Sequence, residues 1–155
     1  MTRISRTRQK NGVKLDKTYS SGAGWYELSY PGAWRVDENQ ECITFYDSLN
    51  DVGVLQMSAY LAPSPQSPRD LLVEHFIDSG ITVSQDDLQH LEDKYKDITS
   101  YDYVDEEHYH KTWVVTSGNY VMFITYICEE SKKDMGISIA DAVVDSLQFG
   151  EGERI

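Results

Sequence analysis

Long apolar runs and prolines are scarce in this chain, and each shortage excludes a class of protein. No window of 18 apolar residues occurs, so no segment is expected to span a bilayer. Four prolines against 40% hydrophobic and 12% aromatic residues exclude a disordered chain and indicate a folded globular protein. The basic N-terminus is not followed by the apolar stretch of about 7–15 residues that a signal peptide requires. We therefore expect a cytoplasmic protein.

Cysteine is also rare, with two residues in 155. Cys42 and Cys128 both lie in strand-like runs, where a buried free thiol is the common case. Because we expect a cytoplasmic protein, both are predicted to stay reduced. They are predicted to be structural, since apolar surroundings raise the pKa of a thiol and make it inert.

Basic residues are few beyond the first 17 positions. Residues 1–17 hold six of the 14 basic residues and one acid, so the remaining residues hold 25 acids and 8 bases, a net charge of −17. A body this acidic repels phosphate backbones and anionic lipids, so we expect no nucleic-acid or membrane partner. The charge favours a basic protein as partner, and solubility alone is the competing explanation.

The length fits one domain with one core, which would bury about 70% of the surface of the unfolded chain. We predict a single domain over 1–155, with a basic extension at 1–24, a core at 25–149 and a tail at 150–155. Apolar alternation predicts strands, and a spacing of three or four predicts helices. The predicted elements are a hairpin at 4–8 and 13–19, strands at 25–30, 42–47 and 53–61, a helix at 69–79, a short helix within 85–94, strands at 98–104, 109–117 and 120–128, and a helix at 137–147.

The faces of these elements define the expected core. The strand at 120–128 is apolar at nearly every position, which predicts a central strand covered on both faces. The positions predicted to face the core are Leu55, Met57, Ala59 and Leu61 in the strand at 53–61, Leu72, Val73, Phe76 and Ile77 in the first long helix, and Ala140, Val143, Val144 and Leu147 in the last helix. This order of elements predicts an α+β fold, with helices packed on an antiparallel sheet.

Three local motifs resemble the PsbP-like superfamily. Tyr30-Pro31-Gly32-Ala33-Trp34 is similar to the turn of an aromatic residue, Pro and Trp near the front of these domains. The runs at 43–47 and 53–58 resemble their early hairpin, and 143–149 resembles their C-terminal helix, which closes with a Phe. The resemblance covers about residues 25–149. It implies a central antiparallel sheet between helical layers, an α/β/α sandwich, and it implies binding without catalysis.

No motif for catalysis stands out. The Gly-x-Ser-x-Gly elbow of hydrolases is missing, and neither cysteine has a histidine at a suggestive spacing. His108 and His110 would share one face of a strand beside carboxylates, a pattern that can bind a divalent metal. A solvated acidic turn is the competing interpretation, and we favour it. We therefore predict no catalytic residue, no metal and no cofactor.

A surface, rather than a catalytic pair, is the predicted functional feature. Seven residues within one short stretch combine aromatic rings with negative charge, the mixture expected where a basic protein docks. The candidate partner-binding residues are Tyr101, Asp102, Tyr103, Asp105, Glu106, Glu107 and Tyr109. A sheet edge kept soluble by acids is the alternative explanation.

Two functional hypotheses follow. The first is a non-catalytic protein-binding domain, for example an immunity or inhibitor protein that neutralises a basic toxin domain. The second is a carrier of a small ligand or metal, or an enzyme, whose pocket lies between the sheet and a helix. The second hypothesis rests on Trp25, Trp34, Trp113 and the histidine pair.

Overall fold

An antiparallel sheet forms the centre of the computed structural model, which describes residues 8–10, 13–22, 24–39, 42–92 and 95–150. The strands are β1 Arg8–Lys10, β2 Val13–Leu15, β3 Lys17–Ser20, β4 Tyr26–Tyr30, β5 Trp34–Glu38, β6 Ile43–Asp47, β7 Val54–Leu61, β8 Gln89–Glu92, β9 Asp97–Asp105, β10 His108–Ser117, β11 Tyr120–Glu129 and β12 Gln148–Phe149; the helices are α1 Pro68–Asp78 and α2 Lys133–Asp145. Within the described residues, seven strands form this sheet in the order β5-β6-β7-β11-β10-β9-β8. All neighbours are antiparallel, which confirms the α+β prediction.

A smaller sheet, in the order β12-β4-β3, packs together with α2 against one face of the large sheet. The core between them contains Leu28, Phe45, Leu55, Ile124 and Val143, each exposed by 1% or less. The predicted core stripe of the last helix is confirmed, because all four of its members are buried. We call this side of the large sheet the α2 face.

Helix α1 packs on the opposite side, the α1 face, where it contacts β9 and β10. The Ser67 hydroxyl caps the helix by accepting from the Asp70 amide at 3.2 Å, and Gly80 follows its end at a φ of +81°. Leu72 and Phe76 are buried there, as predicted. Ile77 is 63% exposed, so its predicted place in the core was wrong.

Other differences from the sequence prediction come from strand pairing. The predicted short helix within 85–94 was wrong: a single 3-10 turn at Gln85–Asp87 is followed by β8, which pairs with β9. Strand β5 was not predicted, and it pairs with β6 along its whole length. Leu61, predicted to face the core, is 43% exposed near the end of β7. Helix α2 begins at Lys133, before the predicted start at 137.

The structured core begins earlier than the predicted boundary at residue 25. Strands β1 and β2 pair as the predicted hairpin, although its turn at Asn11-Gly12 and its first residues lie outside the described part of the chain. Leu15 is 5% exposed and belongs to the core cluster, and β3 pairs with β4. Leu15 and β3, which lie within the predicted extension, therefore contribute to the fold.

Two glycines allow close backbone contacts around β11. Gly53 has a φ of +116°, and a Cβ there would lie 2.7 Å from the Ile127 carbonyl oxygen. Gly136 lies in the first half of α2, where a Cβ would overlap the Tyr126 hydroxyl. That hydroxyl donates to the Val52 carbonyl oxygen. The helix can approach β11 this closely because the residue has no side chain.

Candidate functional site

The seven candidate residues do not form one surface, because strand alternation divides them between the two faces of the sheet. Tyr101 and Tyr103 lie on the α1 face of β9, where they pack against Phe76 at ring distances of 5.2 and 6.1 Å. Asp102 lies between them in sequence and faces the α2 side. The stretch therefore contributes to two separate environments.

Tyr109 is not accessible to a partner, so its assignment to the binding surface was wrong. Its side chain is 2% exposed and belongs to the core on the α2 face. Its hydroxyl donates to Asp102 Oδ2 at 2.8 Å, and Lys133 Nζ lies 4.9 Å from the ring centroid. Burial and the hydrogen bond to Asp102 raise the pKa of this phenol. Tyr109 and Asp102 therefore form an internal hydrogen bond, which a docking partner would have to break.

An aromatic and apolar row crosses the α1 face beside the helix. The strand register places Tyr103, His110 and Ile127 opposite one another on β9, β10 and β11. The Tyr103 and His110 rings are parallel within 3° at 4.7 Å, and Ile127 is 40% exposed. Burial and the Asp105 carboxylate raise the pKa of Tyr103, which keeps the ring neutral. We call these three residues the apolar row.

Two acidic residues lie two positions further along the strands, about 7 Å away. Asp105 and Glu129 are exposed on either side of His108 at one register position, and we call Asp105 and Glu129 the acidic row. The β9–β10 turn adds Glu106 and Glu107, whose φ values are +50° and +70°. Non-glycine residues adopt this left-handed conformation at a cost, and two-residue hairpin turns normally place Asn and Gly there.

The histidine pair does not form a metal centre within the described residues. His108 Nδ1 lies 3.2 Å from the Glu106 carbonyl oxygen, and His110 is stacked on Tyr103. In the part of the chain that the structure describes, no three His, Cys, Asp or Glu side chains are grouped so that they could hold a metal ion.

The described residues leave the α1 face uncovered over β7 and the second half of β11. Helix α1 has 11 residues and is about 16 Å long, and it packs on β9 and β10. The exposed side chains on this part of β7 and β11 are Gln56, Tyr60, Thr125 and Ile127, and we call these four residues the open face. The prediction that the strand at 120–128 is covered on both faces was therefore wrong at Thr125 and Ile127.

A pocket of about 340 Å³ lies on the other side of the sheet, between α2 and strands β8, β9 and β10. Its floor is the buried Trp113 ring, and its rim includes Leu91, which is 58% exposed. Lys111 and Asp141 meet inside it. The lining residues are Gln89, His90, Leu91, Ile98, Ser100, Lys111, Trp113, Ser138, Asp141, Ala142, Val144 and Asp145.

Lys111 is the most unusual residue of this pocket, because it is a lysine with 8% of its surface exposed. Its Nζ lies 2.9 Å from Asp141 Oδ1 and 5.1 Å from the Trp113 ring centroid. A desolvated ammonium is costly unless it is paired, and even a paired one contributes little net stability. Asp141 provides this pairing from a side chain that is 45% exposed, so the ion pair can be reached from solvent.

The three tryptophans lie in different environments. Trp34 is 4% exposed and belongs to the core on the α2 face. Trp113 is the floor of the pocket. Trp25 lines a second cavity, of about 280 Å³, together with Tyr19, Tyr26 and Cys42. Its indole Nε1 is buried with no hydrogen-bond partner among the described residues.

Comparison with known proteins places the chain in a family. Residues 14–154 match the family described as Domain of unknown function (DUF3805). The chain belongs to this family. A comparison with curated proteins found no match. Within the described residues of this DUF3805 domain, no helix is both long enough and apolar enough to cross a membrane.

Two solved structures share the fold of this DUF3805 domain. The solution structure of cyanobacterial PsbP (CyanoP) from Synechocystis sp. PCC 6803 matches with a TM-score of 0.64 and 18% identity, over 86% of this chain and 91% of that one. A crystal structure from Bacteroides thetaiotaomicron VPI-5482 matches with a TM-score of 0.63 and 17% identity, over 90% of this chain. The DUF3805 domain spans about half the length of the Bacteroides protein. The fold is therefore PsbP-like, as the sequence motifs predicted.

Sequence reasoning missed the open face of the DUF3805 domain and the Lys111–Asp141 pair, although the second hypothesis had placed a pocket with Trp113 between the sheet and a helix. Lys111 and Asp141 are 30 positions apart and meet because α2 crosses above β10. One signal was present, since Lys111 interrupts a strand whose other inward positions, Tyr109, Trp113 and Val115, are apolar. For the open face, the signal was the length of the first helix, which is too short to cover seven strands.

Proposed function

We propose that this domain binds a basic protein partner and acts without catalysis. The observation that carries the proposal is the pair of adjacent rows on the α1 face, one apolar and one acidic. The apolar row offers two stacked rings and an exposed isoleucine, and the acidic row and the turn offer four carboxylates. A lysine or arginine can pack its stem on the first and place its charge on the second.

The composition of the open face supports the same function. An exposed patch that mixes aromatic, apolar and polar groups is typical of a protein interface. Tyr60 is 41% exposed and stacks on Phe123, which fixes its position before a partner arrives. Fixed rings lose little conformational entropy on binding.

The overall charge supports a basic partner. A formal net charge of −12 steers a positively charged protein towards the domain and repels nucleic acid. A toxin domain with a basic surface is one partner of this chemistry, and in that case the domain acts as an immunity or inhibitor protein. The products of neighbouring genes are the first candidates to test.

The contacts of the histidines and the burial of Cys128 support action without catalysis. All four histidines lie in the described residues: His75 packs on Phe76, His90 contacts Thr99, and His108 and His110 have the contacts given above. The Cys128 thiol is 5% exposed, and burial raises its pKa, which lowers its nucleophilicity.

The proposal can be tested with a short peptide of alternating lysine and leucine. We expect titration of the ¹⁵N-labelled domain to shift the amide resonances of the apolar row, the acidic row and the open face. Reversing both charges with Asp105→Lys and Glu129→Lys should weaken binding by about tenfold or more, because two close charge pairs are lost. Higher salt should slow association.

Asp134→Lys is the matched control for either reversal made alone, because Asp134 is an exposed acid in the first turn of α2, on the other side of the sheet. It changes the net charge in the same direction but leaves the α1 face intact. Equal loss of binding in the control, or shifts spread over every acidic part of the surface, would show that only net charge is recognised. The proposed interface would then be wrong.

A further inference from the structure

We infer that the pocket between α2 and strands β8, β9 and β10 binds a small zwitterion with an apolar side chain, of which apolar amino acids are the simplest class. This goes beyond protein binding, because the pocket opens on the α2 side and the proposed interface lies on the α1 side. Its volume of about 340 Å³ is within the range of small-molecule sites, about 300–1,000 Å³.

The first argument is the hydrogen-bonding capacity of Lys111. An ammonium group has three donors. Asp141 accepts one of them at 2.9 Å, and no other acceptor among the described residues is within hydrogen-bond distance. The Trp113 ring at 5.1 Å offers a π-face but no lone pair. A ligand carboxylate in the pocket would take the remaining donor capacity and relieve the cost of burying this charge.

The second argument is the sign of the charges. Lys111 is the one lysine or arginine among the described residues that line the pocket, and its partner Asp141 is 45% exposed, so a ligand can reach the carboxylate. A simple anion would meet the Asp141 carboxylate, and a simple amine would meet the ammonium. A molecule that carries an ammonium and a carboxylate close together can satisfy both signs at once.

The third argument is the apolar surface beside these charges. Leu91 is 58% exposed at the rim of the pocket, and in the strand register it lies opposite the buried Ile98. Trp113 is 3% exposed at the floor. An apolar ligand side chain would cover Leu91 and remove its surface from water. The pocket therefore combines a polar anchor with an apolar wall, as small-molecule sites commonly do.

Three probes of matched shape test the charge pattern: L-leucine, L-leucine amide, which keeps the ammonium alone, and 4-methylpentanoate, which keeps the carboxylate alone. Titrations of the ¹⁵N-labelled domain should place the largest shifts on β8, the middle of α2 and the Trp113 indole. L-leucine should bind at least about tenfold more tightly than either singly charged probe, because each of those probes can interact favourably with only one of Lys111 and Asp141. Equal binding of all three, or no shift with any, would overturn the inference.

Variants separate this pocket from adventitious binding. Leu91→Gln should weaken L-leucine binding several-fold, whereas Leu49→Gln, at an exposed leucine in the loop after β6, should leave it unchanged. Lys111→Met should abolish the preference for L-leucine over L-leucine amide. If the Lys111 variant does not fold, comparing Leu91→Gln with Leu49→Gln still tests the site. Equal effects at these two leucines would refute the site.

Discussion

Replacing Gly136 by alanine should destabilise the domain, although alanine is the better helix former by about 1 kcal/mol. The new methyl group would overlap the Tyr126 hydroxyl and the Val52 carbonyl oxygen, and would lie 2.9 Å from Tyr126 Cζ. Overpacking of this kind costs about 1–3 kcal/mol. Loss of the Tyr126–Val52 hydrogen bond adds about 1–3 kcal/mol, because a buried carbonyl loses its partner. The penalties exceed the gain, so we expect a net loss of about 2 kcal/mol.

Thermal and denaturant unfolding can measure this loss. For a domain of this size, about 2 kcal/mol corresponds to a decrease in Tm of about 4–8 °C. Gly22→Ala is the control: apart from its chain neighbours, no atom of the described residues lies within 4 Å of a Cβ at this position. We expect its effect to stay within about 0.5 kcal/mol.

A double-mutant cycle tests the cause of the effect. In a Tyr126→Phe background the hydroxyl is gone, so Gly136→Ala should cost less than in the unmodified chain, with a coupling of about 1 kcal/mol or more. A Gly136→Ala variant as stable as the unmodified protein would refute the close approach of α2 to β11. Additive effects of the two substitutions would show that the hydroxyl is not the obstacle.

Three further predictions follow from the backbone, the phenols and the thiols. Glu106→Asn with Glu107→Gly should raise the free energy of unfolding by about 1 kcal/mol and the Tm by about 2–4 °C, because these residues suit the positive φ of the turn; an unchanged or lower Tm would argue against strain there. Burial and the Glu38 charge raise the pKa of Tyr26 to about 12, so the stability it contributes is complete below pH 10 and decreases as the pH rises through 12; in an absorbance titration Tyr26→Phe should lower the amplitude of the high-pH transition by one phenol, and loss of a phenol that titrates near pH 10 instead would contradict the assignment. A thiol reagent should label the half-buried Cys42 in the native protein and Cys128 only after unfolding, and Cys42→Ser should abolish the native reaction.

Much of the fold could be predicted because local patterns and tertiary packing agree in most elements. The strands β9, β10 and β11 alternate or are continuously apolar, and Ser67 with Pro68 specified the start of α1. Prediction failed where pairing partners decide the structure. The residues of β8 are exposed and carry no strong strand pattern, so its conformation comes from hydrogen bonds to β9.

The candidate site could be predicted only in part, because neighbouring residues on a strand point to opposite faces. The acidic turn at Glu106 and Glu107 was visible in the sequence. The alignment of Tyr103, His110 and Ile127 was not, because it depends on the turn geometry of two hairpins, β9–β10 and β10–β11. The burial of Tyr109 likewise follows from its contacts across the sheet, which a linear stretch of tyrosines and acids does not reveal.

The small sheet has a further consequence for how this domain tolerates shortening. Ser20 in β3 and Gln148 in β12 both pair with Glu27, one on each side of β4. Adjacent strands are about 4.8 Å apart, so these two positions are about 10 Å apart. An early and a late segment of the chain are thus held together by β4, and deleting either outer strand would leave one side of β4 without its hydrogen-bond partners.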